Sequence, residues 1–422
     1  MGLFRNQRTA FLTSAFLAVS VAIPVSLPLV GVAYADDTLS VKVGTPLQAA
    51  QTALAAKNYG KAMASVDAAD AVSGKSDYET YTVAQMRAAV AAQSNDVPAA
   101  IKAYDVLIAS SRTPGSAKLQ MMMAQASLAY QAKNYAATVK ATEAYLKAAG
   151  PKADPKMQTV LVQAYYQQKD FANAARVQKE QIDAEIKAGR IPSENQLQFL
   201  VACYRELKDA DQQTHAFVLL AKYYSKPDYW AALIHNLAAN PKLPASLQFN
   251  LLRLRAATGT LTSPDDYIDM AERAMEAGQP QLAVNLLNQG FSNGVLGKGT
   301  GAAREAKLRA MAVSRAADTK AALAGDASAA ATAPTAGPAL TTGYNMVLAG
   351  QVPAGLALMK QGLAKKPRFP DVALLDYGMA QMDGGLKKDA AQTFNTVKSD
   401  NGSQDLAQLW ELLISRPVTS GK

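Results

Sequence analysis

The amino-acid sequence predicts an all-α fold, an α-solenoid of antiparallel helix-turn-helix repeats, and three observations carry that expectation. The phrase Ala56-Lys57-Asn58-Tyr59 returns 76 residues later as Ala132-Lys133-Asn134-Tyr135, two periods of 38. Each copy stands between two alanine-rich helical patterns, and no run of alternating β-branched residues of the kind that marks a strand appears between turn signals. A fixed spacing of this size marks stacked helical hairpins, each burying its apolar face only against its neighbours. Such a chain is expected to be a binding surface, and the sequence names no partner.

The N-terminus sets the expected location. Arg5 and Arg8 precede an uncharged stretch from Thr9 to Tyr34, which ends in Val32-Ala33-Tyr34-Ala35 ahead of Asp36-Asp37. A basic flank, an apolar segment and an A-x-A site in that order make residues 1–35 a signal peptide, cleaved so that the mature chain starts at Asp36. The competing reading is an uncleaved anchor, since the run from Phe11 onward exceeds the ~20 residues that cross a bilayer. Pro24 and Pro28 interrupt that run, and small Ala33 and Ala35 suit a signal peptidase. No cysteine follows the apolar segment, which excludes a lipoprotein anchor there. The expected location is periplasmic or secreted, with no stable membrane anchor after cleavage.

Composition narrows the partners. Of 422 residues, 43 are Lys or Arg and 34 Asp or Glu, a formal net charge of +9 spread thinly along the chain. That favours solubility and lacks the concentrated basic footprint of nucleic-acid binding, so no nucleic-acid partner is expected. The densest cluster, Lys365-Lys366-Pro367-Arg368 with Lys387-Lys388 beyond, reads as a solvated helix end followed by a turn. Cys203 is the single cysteine, so helix packing must carry stability without disulfides. Its apolar helical surroundings, Leu200 to Tyr204, predict a buried, inert thiol.

The first hairpin runs from Leu47 to Val72 and breaks at Lys57-Asn58-Tyr59-Gly60. Its second helix carries Ala62, Val66 and Ala69, small enough for close approach. The second hairpin has Ala88 and Ala91, a turn at Asn95-Asp96, then Ala100, Tyr104 and Leu107. Pro98 falls where a missing N–H costs nothing, with Asn95 or Asp96 as cap, and Pro280 and Pro353 occupy the same kind of place. The third covers Leu119 to Ala149 with its turn at Asn134-Tyr135, and the fourth covers Met157 to Lys187 with its turn at Asp170-Phe171. A fifth, weaker unit carries Leu197, Val201 and Tyr204, then Phe217 and Leu220. The pattern loosens from Ser225 to Ser263, where Pro227, Pro241 and Pro244, with Pro264 just beyond, punctuate helices such as Leu247 to Ala257, and resumes with Tyr267, Ala271, Ala274, Ala283 and Leu287.

This design resembles the tetratricopeptide repeat (TPR) family, whose unit is two antiparallel helices. The first carries a small residue and then an aromatic, and the second an alanine followed by a bulky side chain. The pattern shows best in Gly378 with Leu374, Gly385, Ala390 and Phe394, and in Ala100 with Tyr104. The resemblance covers most of Thr45 to Arg315 plus Leu340 to Lys398. The steps of 38, 38 and 36 residues from Ala62 to Ala100, Thr138 and Ala174 exceed the family's usual 34.

Residues 36–324 are accordingly expected to form one TPR-like α-solenoid. Residues 325–339, rich in Ala, Pro and Thr with Asp326 as the one charge, bury too little to offset ordering entropy and read as a flexible linker. Residues 340–422 form a C-terminal TPR-like module, sealed by a capping helix through Leu406, Leu409, Trp410 and Leu413. That module either stands apart or packs into the same solenoid.

No catalytic constellation is evident, and the chain is read as a non-enzyme without cofactor or metal. His215 and His235 lack partners at metal-ligand spacing, and Gly297-Lys298-Gly299-Thr300-Gly301 lacks the strand that makes a phosphate cradle. Asp265-Asp266 read as helix caps. The resemblance implies a groove lined by the first helix of each unit, which places Tyr130, Gln131, Tyr166, Gln167, Arg205 and Glu206 as candidate groove residues for a peptide or helix. Packing between neighbouring helices is the competing reading, favoured for Tyr130 and Tyr166 and level for Gln131 and Gln167. The basic clamp by which some TPR relatives hold chaperone tails needs Lys and Asn at these positions, and it is absent. The leading reading is a protein-interaction scaffold of the bacterial cell envelope. The alternative is a cell-wall or glycan-associated factor using the aromatics Tyr223, Tyr224, Tyr229 and Trp230 around Pro227.

Overall fold

A computed structural model describes residues 38–240, 243–399 and 401–416. The expected signal peptide and the mature start at Asp36 lie outside the described residues. Among the described residues the chain is all-α, with twenty α-helices, three 3-10 turns and no strand. No described helix is long and apolar enough to cross a membrane. The chain divides between Asp183 and Ala184 into two compact units.

The first unit holds α1 (Val41–Ala55), α2 (Tyr59–Asp70), α3 (Asp77–Ser94), α4 (Val97–Ala109), α5 (Gly115–Gln131), α6 (Tyr135–Ala149), α7 (Pro155–Gln167) and the start of α8 (Phe171–Lys187). They form antiparallel hairpins, each packed on the next. One device makes every hairpin turn. Lys57, Asn95, Lys133 and Lys169 adopt left-handed backbone, φ 58, 57, 59 and 64°. Each is followed by a residue whose side chain caps the coming helix: Asn58, Asp96, Asn134 and Asp170 accept the amide three residues on, at 3.1–3.2 Å. Asp96 is therefore the cap before Pro98, and Asn95 the left-handed residue. The repeated positions Ala62, Ala100, Thr138 and Ala174 are all buried, where a larger side chain would part the helices. Leu107 is fully buried beside them, worth ~2–3 kcal/mol relative to exposure.

Polar side chains join successive hairpins. Arg87 on α3 donates to Asp67 and Asp70 on α2 at 2.6 and 2.9 Å. Gln125 on α5 donates to Asp105 on α4 at 2.7 Å, and the Tyr165 hydroxyl on α7 to Glu143 on α6 at 2.6 Å. Near the start of the unit Glu79 takes backbone N–H bonds from Ser40 and Ser76, both at 2.8 Å, which ties the cap of α1 to that of α3. Those donors, Ser40 foremost, hold its carboxyl down at about 2.

The second unit continues with α9 (Glu194–Leu207), α10 (Ala210–Tyr223), α11 (Pro227–Ala238), α12 (Gln248–Ala257), α13 (Pro264–Glu276), α14 (Pro280–Ser292), α15 (Ala302–Thr332), α16 (Ala336–Leu348), α17 (Val352–Ala364), α18 (Pro370–Asp383), α19 (Lys387–Phe394) and α20 (Ser403–Ser415). In the loose stretch α11 and α12 bury Trp230 and Leu254 completely. The TPR-like positions meet as the resemblance implies: a Cβ on Gly378 would lie 2.5 Å from the Phe394 ring. The α16–α17 hairpin crosses more closely still, since a Cβ on Gly355 would lie 2.4 Å from the Gly343 carbonyl oxygen. Helix α20 seals the end with Leu406, Leu409 and Trp410 buried, the Trp410 ring stacked on Phe394 at 6.5 Å.

The stretch 325–339 departs from the expected linker. Helix α15 is 31 residues long and runs through to Thr332, about 46 Å, and α16 begins at Ala336. Alanine, the best helix former, dominates it, and Leu308, Ala312, Ala316, Leu323 and Ala330 bury one continuous stripe. Lys365 then donates to the carbonyls of Ala330, Ala331 and Ala333, completing the exposed end of α15. Nor do the last helices stand apart within this unit: the Asn345 side chain donates to the Gly278 carbonyl at 2.8 Å.

Candidate functional site

The six predicted groove residues stand beside hairpin turns. Tyr130-Gln131 and Tyr166-Gln167 are the closing residues of α5 and α7. Tyr130 meets the Tyr135 ring edge-on at 5.6 Å, and Tyr166 meets Phe171 in the same way at 5.1 Å. Each half-buried tyrosine thus packs across its own turn onto the first residue of the next helix. Burial and the neighbouring Tyr135 raise the Tyr130 hydroxyl above its ordinary range. Gln131 and Gln167 are exposed. Arg205 and Glu206 belong to the second unit, near the end of α9, where they form an exposed pair at 3.7 Å.

The aromatic cluster is divided: Tyr229 and Trp230 are core, while Tyr223 and Tyr224 are half-buried. Trp230 is completely buried and donates through Nε1 to Ser225 at 3.1 Å. Tyr229 is buried as well, its hydroxyl donating to Glu194 and accepting from Gln198. The Tyr224 hydroxyl is held by the Pro192 carbonyl at 2.7 Å. Burial alone would raise the Glu194 carboxyl, and donation from Lys226 and Tyr229 outweighs it, leaving Glu194 below its ordinary value.

Cys203 is buried as expected, its thiol pushed up to about 12 chiefly by desolvation. Among the described residues no three His, Cys, Asp or Glu side chains stand close enough to hold a metal ion. The glycine-rich loop folds back onto α15, the Gly297 amide donating to Glu305. Asp265 and Asp266 fall in the first turn of α13 without a side-chain cap bond, and Asp266 pairs with Arg255 at 3.0 Å.

Two features of the second unit escape sequence reasoning. The first is a buried polar knot. Arg253 on α12 grips both oxygens of Asp383 at 2.9 and 3.0 Å and donates to the Tyr344 hydroxyl at 2.7 Å. Burial opposes its charge, and Asp383 and Tyr344 more than restore it, so Arg253 stays cationic. Asn250 donates to Asp376 nearby, whose carboxyl burial raises. The knot fastens the last helices to α12, with the Asn250 Oδ1 left buried without a hydrogen-bond partner.

The second feature is a groove of about 710 Å³. Its walls are α17, through Leu356, Ala357 and Leu363, and α19, through Gln392 and Thr393. Leu374 and Tyr377 of α18 form the floor. Both walls run antiparallel to α18 and so parallel to each other. Lys360 stands on one wall and Asp389 on the other. An elongated trough with an apolar floor and polar lips suits a helix or an extended segment, whose apolar side chains enter while its backbone stays outside. No local motif announces it, because its lining residues are scattered over three helices.

No protein-family profile matches the chain, and no curated protein matches it. Solved structures do. The TPR2AB-domain:pHSP90 complex of yeast Sti1 shares 12% identity over 71% of this chain and 99% of that one, with a TM-score of 0.24. Naa15/Naa10 bound to HypK-THB shares 14%, covering 85% of this chain and 64% of that one, at 0.27. The P58(IPK) TPR domain shares 15%, covering 88% and 98%, at 0.20.

Proposed function

We propose that this chain is a non-enzymatic interaction scaffold of the bacterial cell envelope, exported by residues 1–35 and holding a segment of another protein. The observation that carries this reading is the open groove between α17 and α19, lined by Leu356, Leu363, Leu374 and Tyr377. A rigid stack of hairpins that leaves such a trough uncovered matches the helix-in-groove mode of recognition. Gln131 and Gln167 in the first unit, and Arg205 and Glu206 in the second, are exposed at their turns and are separate candidate contacts in this reading. Export rests on the order of basic flank, apolar run and A-x-A site at the N-terminus.

Expression of the full chain in a Gram-negative host, followed by fractionation and N-terminal sequencing, tests export. A periplasmic product beginning at Asp36 is expected, and a full-length cytoplasmic product sinks the envelope assignment. In vivo crosslinking of wild type against Ala357→Trp, which fills the groove from an exposed wall position, tests the binding face. Crosslinked protein partners are expected to disappear in the variant while the far-ultraviolet spectrum stays helical. Partners retained undiminished place binding elsewhere.

A further inference from the structure

Resting on that reading, we infer that the occupant of the α17–α19 groove is an acidic amphipathic helix of about three turns. Length comes first. From Pro353 to Leu363 the α17 wall advances ten helical steps, ~15 Å at 1.5 Å each, so the trough holds roughly three turns of a docked helix. A helix of that length presents apolar residues at i, i+3 or i+4, and i+7, which matches a floor of Leu374 and Tyr377 between walls bearing Leu356 and Leu363.

Charge decides the rest. Lys360 lies in the wall itself. At the end where α17 and α19 begin, Lys387 and Lys388 precede Asp389, and both are exposed. At the other end Lys366 and Arg368 follow α17 and Lys398 follows α19, again exposed. Within the lining Asp389 is the single acid among these cations. None of the five lysines forms an ion pair among the described residues, and Lys365 is set apart because its ammonium donates to carbonyls at the end of α15. Cations at both ends and on one wall select acidic side chains flanking an apolar stripe, and they repel a basic helix.

The probes are two synthetic helical peptides with the same leucine stripe, one flanked by glutamates and the other by lysines, titrated into the mature chain by fluorescence anisotropy. The glutamate peptide is expected to bind at least tenfold tighter than the lysine peptide and to weaken as salt rises. Lys360→Glu combined with Lys387→Glu should reverse that preference without change in the helical spectrum, and Ala357→Trp should abolish binding of both peptides. Equal affinity for the two peptides, still abolished by Ala357→Trp, overturns the acidic assignment and leaves the groove as the binding face. Binding of neither peptide also overturns the assignment, and the crosslinking comparison then judges the groove by itself. Binding that survives Ala357→Trp removes both. A dimer in light scattering that Ala357→Trp dissociates gives the groove to a second copy, and capture by anionic vesicles that Lys360→Glu with Lys387→Glu abolishes, without peptide binding, gives the cations to lipid. Either outcome overturns the proposal.

Discussion

Asp67 accepts a hydrogen bond from Arg87 at 2.6 Å, and the same acceptor recurs 38 and 76 residues on as Asp105 and Glu143. The acid always comes from the second helix of one hairpin and its donor from the first helix of the next. The donors differ: Arg87, Gln125 and Tyr165. What repeats is an acceptor aimed at the following hairpin, and this makes the interface between hairpins a polar contact as well as an alanine seam.

Both donors of these pairs are buried and both acids exposed, so what each donor keeps decides the cost. Asp105→Ala leaves the Gln125 amide only its 3.3 Å bond to the Ile101 carbonyl and should cost about 1–2 kcal/mol, whereas Asp67→Ala leaves Arg87 its charge-assisted bond to Asp70 at 2.9 Å and should cost under ~1 kcal/mol. Urea denaturation followed by circular dichroism measures both. Equal losses at the two sites would show that the remaining Asp70 bond does not compensate Arg87.

Glu79 makes the first unit acid-sensitive. Its carboxyl is held at about 2 by Ser40 and Ser76, against an ordinary value near 4.5 in the unfolded chain. A depressed folded value means that this stabilisation is complete above about 4.5 and is lost as pH falls towards 2. The wild type should therefore lose more stability between pH 5 and 2.5 than Glu79→Gln does. Parallel pH profiles for the two would show that Glu79 contributes nothing through its charge.

The α16–α17 crossing leaves no room for a methyl group. Gly355→Ala brings a Cβ within 2.4 Å of the Gly343 carbonyl oxygen, a backbone atom that cannot swing aside, and should destabilise by ~2–3 kcal/mol. Gly350→Ala tests the alternative source of strain, because its Cβ meets nothing within 4 Å while its φ is 88°. Melting of the two variants separates overpacking from backbone conformation.

Removing the acid of the buried knot should be costly. Asp383→Ala leaves the Arg253 charge buried with only the Tyr344 hydroxyl, at a cost of ~3 kcal/mol or more, while Arg253→Met paired with Asp383→Leu should recover much of that loss. A double variant as unstable as the single one would mean that the pair stabilises beyond filling space.

Tyr166→Ala separates packing from binding in the first unit. A half-buried ring edge-on to Phe171 should take ~2 kcal/mol of stability with it, and Gln167→Ala close to none. Stability unchanged by Tyr166→Ala, with partner crosslinking lost, would instead put the ring in contact with the partner.

Much of the fold is legible because its turns are local chemistry. Lys57-Asn58 and Lys133-Asn134 announce a left-handed residue and a cap in adjacent letters, and small Ala62 and Ala100 mark the helix crossings. The end of α15 is illegible for the opposite reason. Its alanines and single charge look like a disordered tract, and the groups that order it, Lys365 and the surface that buries Leu323 and Ala330, arrive from elsewhere in the sequence. The Arg253–Asp383 contact spans 130 residues and leaves no local trace. The tyrosines at 130 and 166 stand where the repeat frame places them, yet a frame cannot tell which way a ring turns. The α17–α19 groove stays hidden because it comes from two helices standing apart over a third.

The recurring turn also gives the first unit a way to lengthen. Residues 96–133 begin with the cap Asp96, end with the left-handed Lys133 and carry Asp105 together with its donor Gln125. A tandem duplication of that cassette places its own Asp96 after Lys133 and restores Asn134 after its own Lys133, so neither junction introduces a new turn. Gene-level copying can therefore add 38 residues at a time, with a pairing of α5 against a second α4 as the one new interface. Surface grows in whole hairpins, rationed in steps of one.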